Sequence, residues 1–464
     1  MQDIAAGLRN AVGASQVFSG EDIPERGRVD ISHNYSSKPA FYVRPASTEE
    51  VAAVVRLAAE HGVPVTVIGG QSGTCGGAVP ADGGIALSLE RMNRIQEIDV
   101  VSMTMTVEAG CVLQTAHEAA EAQGALLPLD LGARGSAMIG GVIGTNAGGN
   151  RVLRWGMMRD MVIGLEVVLA DGSVVSSLTK MLKDNAGYNW KHLLVGSEGT
   201  LGIVTRAVLR LRPLPSTRQT ALIAANSFED AALILRRLEV VLSGRLSSFE
   251  IMWENFYRQM TEAQLPGRPR PMPLGYSHYA IIEAMGGDEE VDAAQFERVL
   301  AELLDQGLIL DAVIARSERE RGAIWAVREE MSPGLTPLRP FSAYDVSMGL
   351  RDMPSFVEAA RSALLRAYPN AEMLIYGHAG DGNLHAIVSI GAMSPEIQRG
   401  FDTAIFGAVR DVNGSIAAEH GIGVTRAPFL PWTRSARELE LMGALKHTLD
   451  PNNIFNPGKM LDAV

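Results

Sequence analysis

The first forty-odd residues carry only weak hydrophobic periodicity, and the pattern then sharpens. Ser47-Thr48-Glu49-Glu50 reads as a capping box, with Ser47 at the N-cap and Glu50 at N3. The apolar positions of VAAVVRLAAEHG recur at helical spacing and predict a helix that ends at Gly62. The β-branched run Pro64–Ile68 predicts a strand leading into GGQSGTCGG; further strands are expected at IALSL and TMTVEAG, and a helix at VLQTAHEAAEAQG. VIGLEVVLADGSVV predicts a hairpin turning at Asp171-Gly172. LGIVTRAVLRLRPLP closes this section, with Pro213 and Pro215 marking a boundary. From about Gln219, strands (TALIAA, SSFEIMW, HYAIIEAM, DAVIAR) alternate with long amphipathic helices such as FEDAALILRRLEVVLSG and DEEVDAAQFERVLAELLDQG, the pattern of a sheet covered by helices. LPGRPRPMPLG (265–275) holds four prolines and predicts a long loop or lid.

Composition narrows the class. The 464 residues suffice for two large domains or about three of ~150 residues. A hydrophobic content of 47% can bury a sizeable core. Forty-one Lys+Arg against 53 Asp+Glu give a net charge of −12, which argues against nucleic acid or an anionic membrane as partner. Two cysteines, Cys75 and Cys111, cannot build a disulfide framework; with no signal-peptide pattern at the N-terminus, the expected location is cytoplasmic. No stretch approaches the ~20 apolar residues of a membrane span. The two cysteines read as small buried residues.

Glycine is the outlier. Residues 132–149 hold seven of the chain's 48 glycines, a density that neither helix nor strand tolerates. GGQSGTCGG (69–77) follows a strand, so its backbone N–H groups could form an anion-binding nest, with Ser72 and Thr74 adding hydroxyls; a plain turn is the alternative. No Gly-Lys-Ser/Thr follows, as a phosphate loop of the nucleoside-triphosphatase type needs, and no helix opens at a third glycine, as a dinucleotide fingerprint needs. PLDLGARGSAMIGGVIGTNAGGN and LLVGSEGTLGIVT supply two more backbone-rich loops within one section, which suggests a long, mostly backbone-held cofactor.

At these motifs the chain resembles the vanillyl-alcohol-oxidase type of flavoprotein, in its D-lactate/D-2-hydroxyglutarate dehydrogenase branch. The stretches that carry the resemblance are PVTVIGGQSGT, GARGSAMIGGVIGTNAGG, GLEVVLADG, LLVGSEGTLGIVT, GHAGDGNLH, AEHGIG and DPNNIFNPGKML, in that order from about residue 40 to the C-terminus. The implied fold is α+β: a two-part PCMH-type FAD-binding domain plus a substrate (cap) domain with a central, mainly antiparallel sheet. The expected division is an N-terminal lead at 1–40, the FAD-binding domain at 41–215, the cap at 216–424, and a segment at 425–464 that returns to the FAD domain.

The resemblance further implies that Gly69, Gly70, Gln71, Ser72, Gly73 and Thr74 hold the FAD pyrophosphate. It sets Gly135, Ser136, Gly140, Gly141, Asn146 and Gly148 along the ribityl chain and isoalloxazine, and Glu198, Gly202, Ile203 and Val204 on the ribose and adenine side. Asn456 would return to the flavin. The first loop departs from the usual Arg-Gly-Gly-Gly-Thr, with Ile68 in place of the Arg and Gln71-Ser72 interrupting the glycines. No His occupies the loop position used by covalent members, so noncovalent FAD is expected.

His378 and His385 are seven apart, an odd offset that a single strand would put on opposite faces. AGDGNL between them is turn chemistry flanked by β-rich runs, so a hairpin would set the two imidazoles side by side across its mouth. Glu419-His420 follows in another glycine-bounded loop. Two His and one carboxylate with an open position compose a catalytic Zn or Mn site; hydrogen-bonded turn histidines are the alternative. The resemblance favours the metal, held by His378, His385 and Glu419, with His420 as general base and a hydride passing to flavin N5. ERGAIWAVREEMS predicts a helix with Arg328 and Ser332 one turn apart, able to clamp a substrate carboxylate; a solvated Arg paired with a neighbouring Glu is the alternative. Similar proteins that bind a dicarboxylate carry Lys where this chain has Ala343, and Asn where it has Ile387, which favours a monocarboxylate substrate.

The expectation is an FAD-dependent D-2-hydroxy-acid dehydrogenase whose acceptor is an electron-transfer flavoprotein, a quinone-linked carrier or oxygen, in a chain compatible with a homodimer. D-2-hydroxyglutarate dehydrogenase proper, a zinc hydrolase without flavin and a noncatalytic flavin-binding subunit are the competing readings; the last sits badly with intact metal histidines.

Overall fold

The structure, a computed structural model, describes residues 2–263 and 270–461. Two compact units share the chain. The first takes the described residues up to Gly149, Gly156–Leu214 and those from Glu419 onward; the second takes Asn150–Trp155 and the described part of Pro215–Ala418.

In the first unit, a four-stranded sheet runs Val17–Ser19, Phe41–Val43, Ile85–Ser88, Val65–Ile68. The first pair is antiparallel and the other two are parallel. Every residue of Ile85–Ser88 is buried, as expected for a strand covered on both faces. The helix Thr48–His61 starts where Ser47 Oγ accepts the Glu50 N–H at 3.2 Å. The returning arm of the cap differs from expectation: the Glu50 carboxylate accepts the Ala46 N–H, at 2.7 Å. Gly62 closes this helix in the left-handed conformation, φ 62°. The weakly periodic N-terminus is built into the same unit, since helix Gln2–Val12 buries Ile4, Leu8 and Val12, and Val17–Ser19 pairs with Phe41–Val43.

A second, antiparallel sheet orders Ile95–Asp99, Thr104–Glu108, Ile203–Arg210, Val162–Val168 and Val174–Ser177. The expected hairpin forms, with Gly172 at φ 76° and Val168 opposite Val174. The C-terminal segment comes back to the first sheet, where Phe455 bridges Val65 and the Asn456 N–H donates to the Val65 carbonyl at 2.9 Å.

The second unit is one seven-stranded sheet in the order Asp311–Ile314, Thr217–Ala225, His278–Gly286, Leu246–Trp253, Glu372–His378, Asn383–Ser389, Ser342–Ser347. All neighbours are antiparallel. One face carries a core of Leu222, Met252, Tyr279, Ile281, Leu374 and Ile387, covered by Phe256, Ile324 and Val327. Of the proline-rich stretch 265–275, residues 265–269 lie outside the described residues; beyond them Met272 is fully buried, its carbonyl accepting from the Tyr257 hydroxyl at 2.8 Å.

The helix with Arg328 departs from expectation. It spans Glu318–Glu329 and stops before Ser332, which opens a separate short helix, Ser332–Leu335. The break falls at Glu330, which leaves the helical region at φ −89°, ψ 56°; Pro333, lacking an N–H, could not have donated to the Glu329 carbonyl to carry the helix on. Arg328 and Ser332 therefore do not share a continuous helical face; Arg328 is 7% exposed and Ser332 is exposed. Among the described residues no helix is long and apolar enough to cross a membrane.

Candidate active site

One cavity of the first unit is lined by backbone from all three glycine-rich segments. Gly69, Gly70, Gln71, Ser72 and Gly73 contribute from the first, Gly140, Gly141 and Gly148 from the second, and Glu198, Gly202 and Val204 from the third. Glu419 and His420 line the same cavity. Thr74, Gly135, Ser136, Asn146, Ile203 and Asn456 are not among its lining residues. Thr74, Gly135 and Ser136 are exposed, and Asn146 accepts the Arg159 N–H at 2.9 Å.

The glycines do two different jobs. A Cβ on Gly70 would meet the Ser136 carbonyl oxygen at 1.9 Å, so this glycine lets two loops touch. On Gly73, Gly132 or Gly141, a Cβ would meet nothing within 4 Å and would occupy the cavity itself. Such backbone suits a group that must approach peptide N–H groups closely, as a dinucleotide does. Alanine at Gly70 should thus destabilise the protein by about 1–3 kcal/mol through overpacking. Alanine at Gly73 should leave stability unchanged and weaken FAD retention. Thermal unfolding and the flavin-to-protein ratio check both, and equal behaviour of the two variants would refute the distinction.

The first loop is braced by Gln71, one of the residues expected there, and by Arg26, which the motif reading passed over. Gln71 sits at φ 54° and its amide donates to the carbonyls of Arg26, at 2.7 Å, and Val29, at 3.1 Å. Arg26 Nη2 donates to the Gly69 carbonyl at 3.0 Å. Ile68, where an Arg is usual, is fully buried against Ile23, Tyr42 and Ala86. Cys75 lines the cavity although no role was expected of it; both cysteines are buried, and burial pushes the Cys111 thiol up to about 11.

Glu198 is clamped onto the segment that bears His420. Its two carboxylate oxygens accept the N–H groups of Ile422, at 2.7 Å, and Gly423, at 2.8 Å. Burial raises its pKa, opposed by those two bonds and by the charges of Arg426 and Lys459. Burial also pushes Lys459 down to about 8, with Glu198 pulling the other way. Asn456 is 2% exposed, and its Nδ2 donates to the carbonyls of Gly77, at 2.9 Å, and Glu198, at 2.7 Å. Its Oδ1 accepts from Thr66 Oγ1 at 3.0 Å and Lys459 Nζ at 2.8 Å, so these four bonds all tie protein to protein.

In the second unit, the hairpin expected around His378 and His385 forms. Strands Glu372–His378 and Asn383–Ser389 pair antiparallel across a turn closed by Gly382 at φ 89°. The imidazole centroids stand 5.4 Å apart, and both residues are buried. The reason is register: His385 faces Tyr376, two residues before His378, which returns both rings to one face. His378 Nδ1–H donates to Glu250 Oε1 at 2.7 Å. Arg328 Nη2 donates to His378 Nε2 at 3.2 Å, and its guanidinium lies 4.5 Å from the Tyr376 ring centroid. A buried His pair with one ring anchored by a carboxylate has the donor chemistry of a divalent-metal site. Glu419 is the first residue after the chain leaves the second unit. Ala343 pairs with Ile387, and Ile387 belongs to the apolar core of the same sheet face.

Comparison with known proteins agrees along the chain. Residues 39–177 match the family model "FAD binding domain", and residues 214–460 match "FAD linked oxidases, C-terminal domain". A protein of Xanthomonas citri pv. viticola named D-2-hydroxyglutarate dehydrogenase is 38% identical over 450 residues, covering 95% of this chain and 93% of its own. The mitochondrial D-2-hydroxyglutarate dehydrogenase of Bos taurus is 36% identical over 464 residues, 99% of this chain and 84% of its own. Among solved structures, p-cresol methylhydroxylase with substrate bound superposes with a TM-score of 0.77 at 18% identity, over 99% of this chain and 97% of that one, a likeness of fold.

Proposed function

We propose that this chain, which belongs to the family of FAD-linked oxidases and D-2-hydroxyglutarate dehydrogenases, oxidises a D-2-hydroxy acid to the 2-keto acid. The observation that supports this reading is the single cavity lined both by the glycine-loop backbone and by Glu419 and His420. FAD, when bound, supplies the two-electron acceptor for the hydride leaving the α-carbon. Backbone N–H groups of the loop 69–74 would hold its pyrophosphate, and the open glycine positions would admit it.

His420 is the general base in this reading: an imidazole nitrogen takes the hydroxyl proton. His378, His385 and Glu419 would hold a divalent metal, Zn or Mn, whose Lewis acidity lowers the hydroxyl pKa. Arg328 would bind the carboxylate next to the carbinol, through the bidentate geometry a guanidinium offers.

The substrate's far end is read from Ala343 and Ile387. A methyl and an apolar branched side chain stand as cross-strand neighbours on the site face, with no cation at position 343. Ala343 is exposed and Ile387 buried, so a second carboxylate here would meet an apolar neighbour and no pairing cation; D-2-hydroxyglutarate should therefore show a lower kcat/KM than apolar D-2-hydroxy monocarboxylates. The names of the relatives favour D-2-hydroxyglutarate as a second reading. Steady-state rates with D-2-hydroxyglutarate, D-lactate and longer apolar D-2-hydroxy acids, using a dye acceptor, decide between them. A markedly higher kcat/KM for hydroxyglutarate gives the second reading the field.

A further inference from the structure

Glu250 carries no expectation from any motif, yet it is a buried carboxylate set among ionisable side chains. It lies in the interior strand Leu246–Trp253, 1% exposed, directly opposite His378 in the antiparallel register. Cross-strand partners share a face at ~5 Å between Cβ atoms, so sheet geometry alone delivers the carboxylate to the imidazole. Oε1 accepts the His378 Nδ1–H at 2.7 Å, and Oε2 stands 3.3 Å from Arg328 Nε. Neither Glu250 Oε2 nor Arg328 Nε has a hydrogen-bond partner of good geometry, so this side of the pair is an ion contact only.

The tautomer of His378 follows from both of its neighbours. A carboxylate can only accept, which requires the proton on Nδ1; a guanidinium can only donate, and Arg328 Nη2 stands 3.2 Å from Nε2, which requires the lone pair there. A lone pair on Nε2 is what a metal takes from a neutral imidazole.

We propose that Glu250 is a positioning residue, which holds His378 with its proton on Nδ1 and its Nε2 lone pair presented as ligand, and which anchors Arg328 beside it. This rests on the reading of His378 as a metal ligand. Removing a carboxylate of this kind lowers metal affinity by roughly 10- to 100-fold. Because Glu250 is also the counter-charge of a buried Arg328, its loss should raise KM for the hydroxy acid as well as weaken the metal.

The test is a Co²⁺ titration of chelator-treated, FAD-loaded protein, followed by the visible absorption of bound Co²⁺ and read without turnover. Wild type, Glu250→Gln and Glu283→Gln are compared; Glu283 is another carboxylate of the same sheet, 3% exposed, and faces Thr220 and Trp325. The expected result is a Kd at least 10-fold weaker for Glu250→Gln, with Glu283→Gln like wild type. Equal affinity in wild type and Glu250→Gln overturns the role of Glu250 and leaves the metal reading standing. Absence of Co²⁺ binding by wild type overturns both. Should Glu250→Gln fail to fold, ¹⁵N imidazole shifts of metal-free wild type decide, and a His378 proton on Nε2 overturns the proposal.

Discussion

His420→Ala is expected to slow reduction of the bound flavin by a D-2-hydroxy acid roughly 10²-fold or more, the loss typical of a removed general base. FAD content should stay at the wild-type level. The reason lies in how the segment is held: Glu198 accepts the N–H groups of Ile422 and Gly423, the Val424 N–H donates to the Cys75 carbonyl at 2.8 Å, and Arg426 Nη1 donates to the Gly421 carbonyl at 3.1 Å. None of these contacts uses the imidazole, so alanine would remove the proposed base while these backbone contacts remain. Anaerobic rapid mixing, monitored at the flavin absorbance, separates the two effects. Reduction at the normal rate would move the base to another residue.

Chelation should abolish turnover while leaving the flavin spectrum, and His378→Ala and His385→Ala should reproduce that loss. The two histidines stand in the sheet of the second unit, and the glycine loops read as the pyrophosphate site stand in the first. Each imidazole withdrawn from the proposed three-residue ligand set would leave too few donors to retain an ion. Activity assays before and after chelation, with metal content by elemental analysis, test this; full activity in metal-free protein refutes the metal's role.

Much of the fold was legible because local signals agreed with one another. Ser47, Glu50 and Gly62 bracket a helix by cap chemistry alone, and Asp171-Gly172 between two β-rich runs specifies a hairpin. The AGDGNL turn likewise predicted the approach of His378 and His385. What escaped was of three kinds. Ile4, Leu8 and Val12 are spaced for a helix, but a short helix surrounded by turns offers little pattern to read. Ser332 continues a helical pattern that breaks at Glu330, where Pro333 cannot supply the N–H that the Glu329 carbonyl would need, a competing local rule. Arg26 and Glu250 act through long-range contacts: Arg26 is 43 residues from its partner Gly69, and Glu250 is 128 from His378. In SSFEIMW a single Glu looks like the solvated position of an alternating strand; burial follows only once the strand is interior and its face is covered.

The most direct test of the central claim is the visible spectrum of the purified protein, incubated with FAD, desalted, and then mixed anaerobically with D-2-hydroxy acids. The expected result is a retained oxidised-flavin absorbance that bleaches with at least one D-enantiomer and persists with its L-enantiomer. Protein that is folded yet retains no FAD, or flavin that stays oxidised with every 2-hydroxy acid including D-lactate and D-2-hydroxyglutarate, would contradict the assignment.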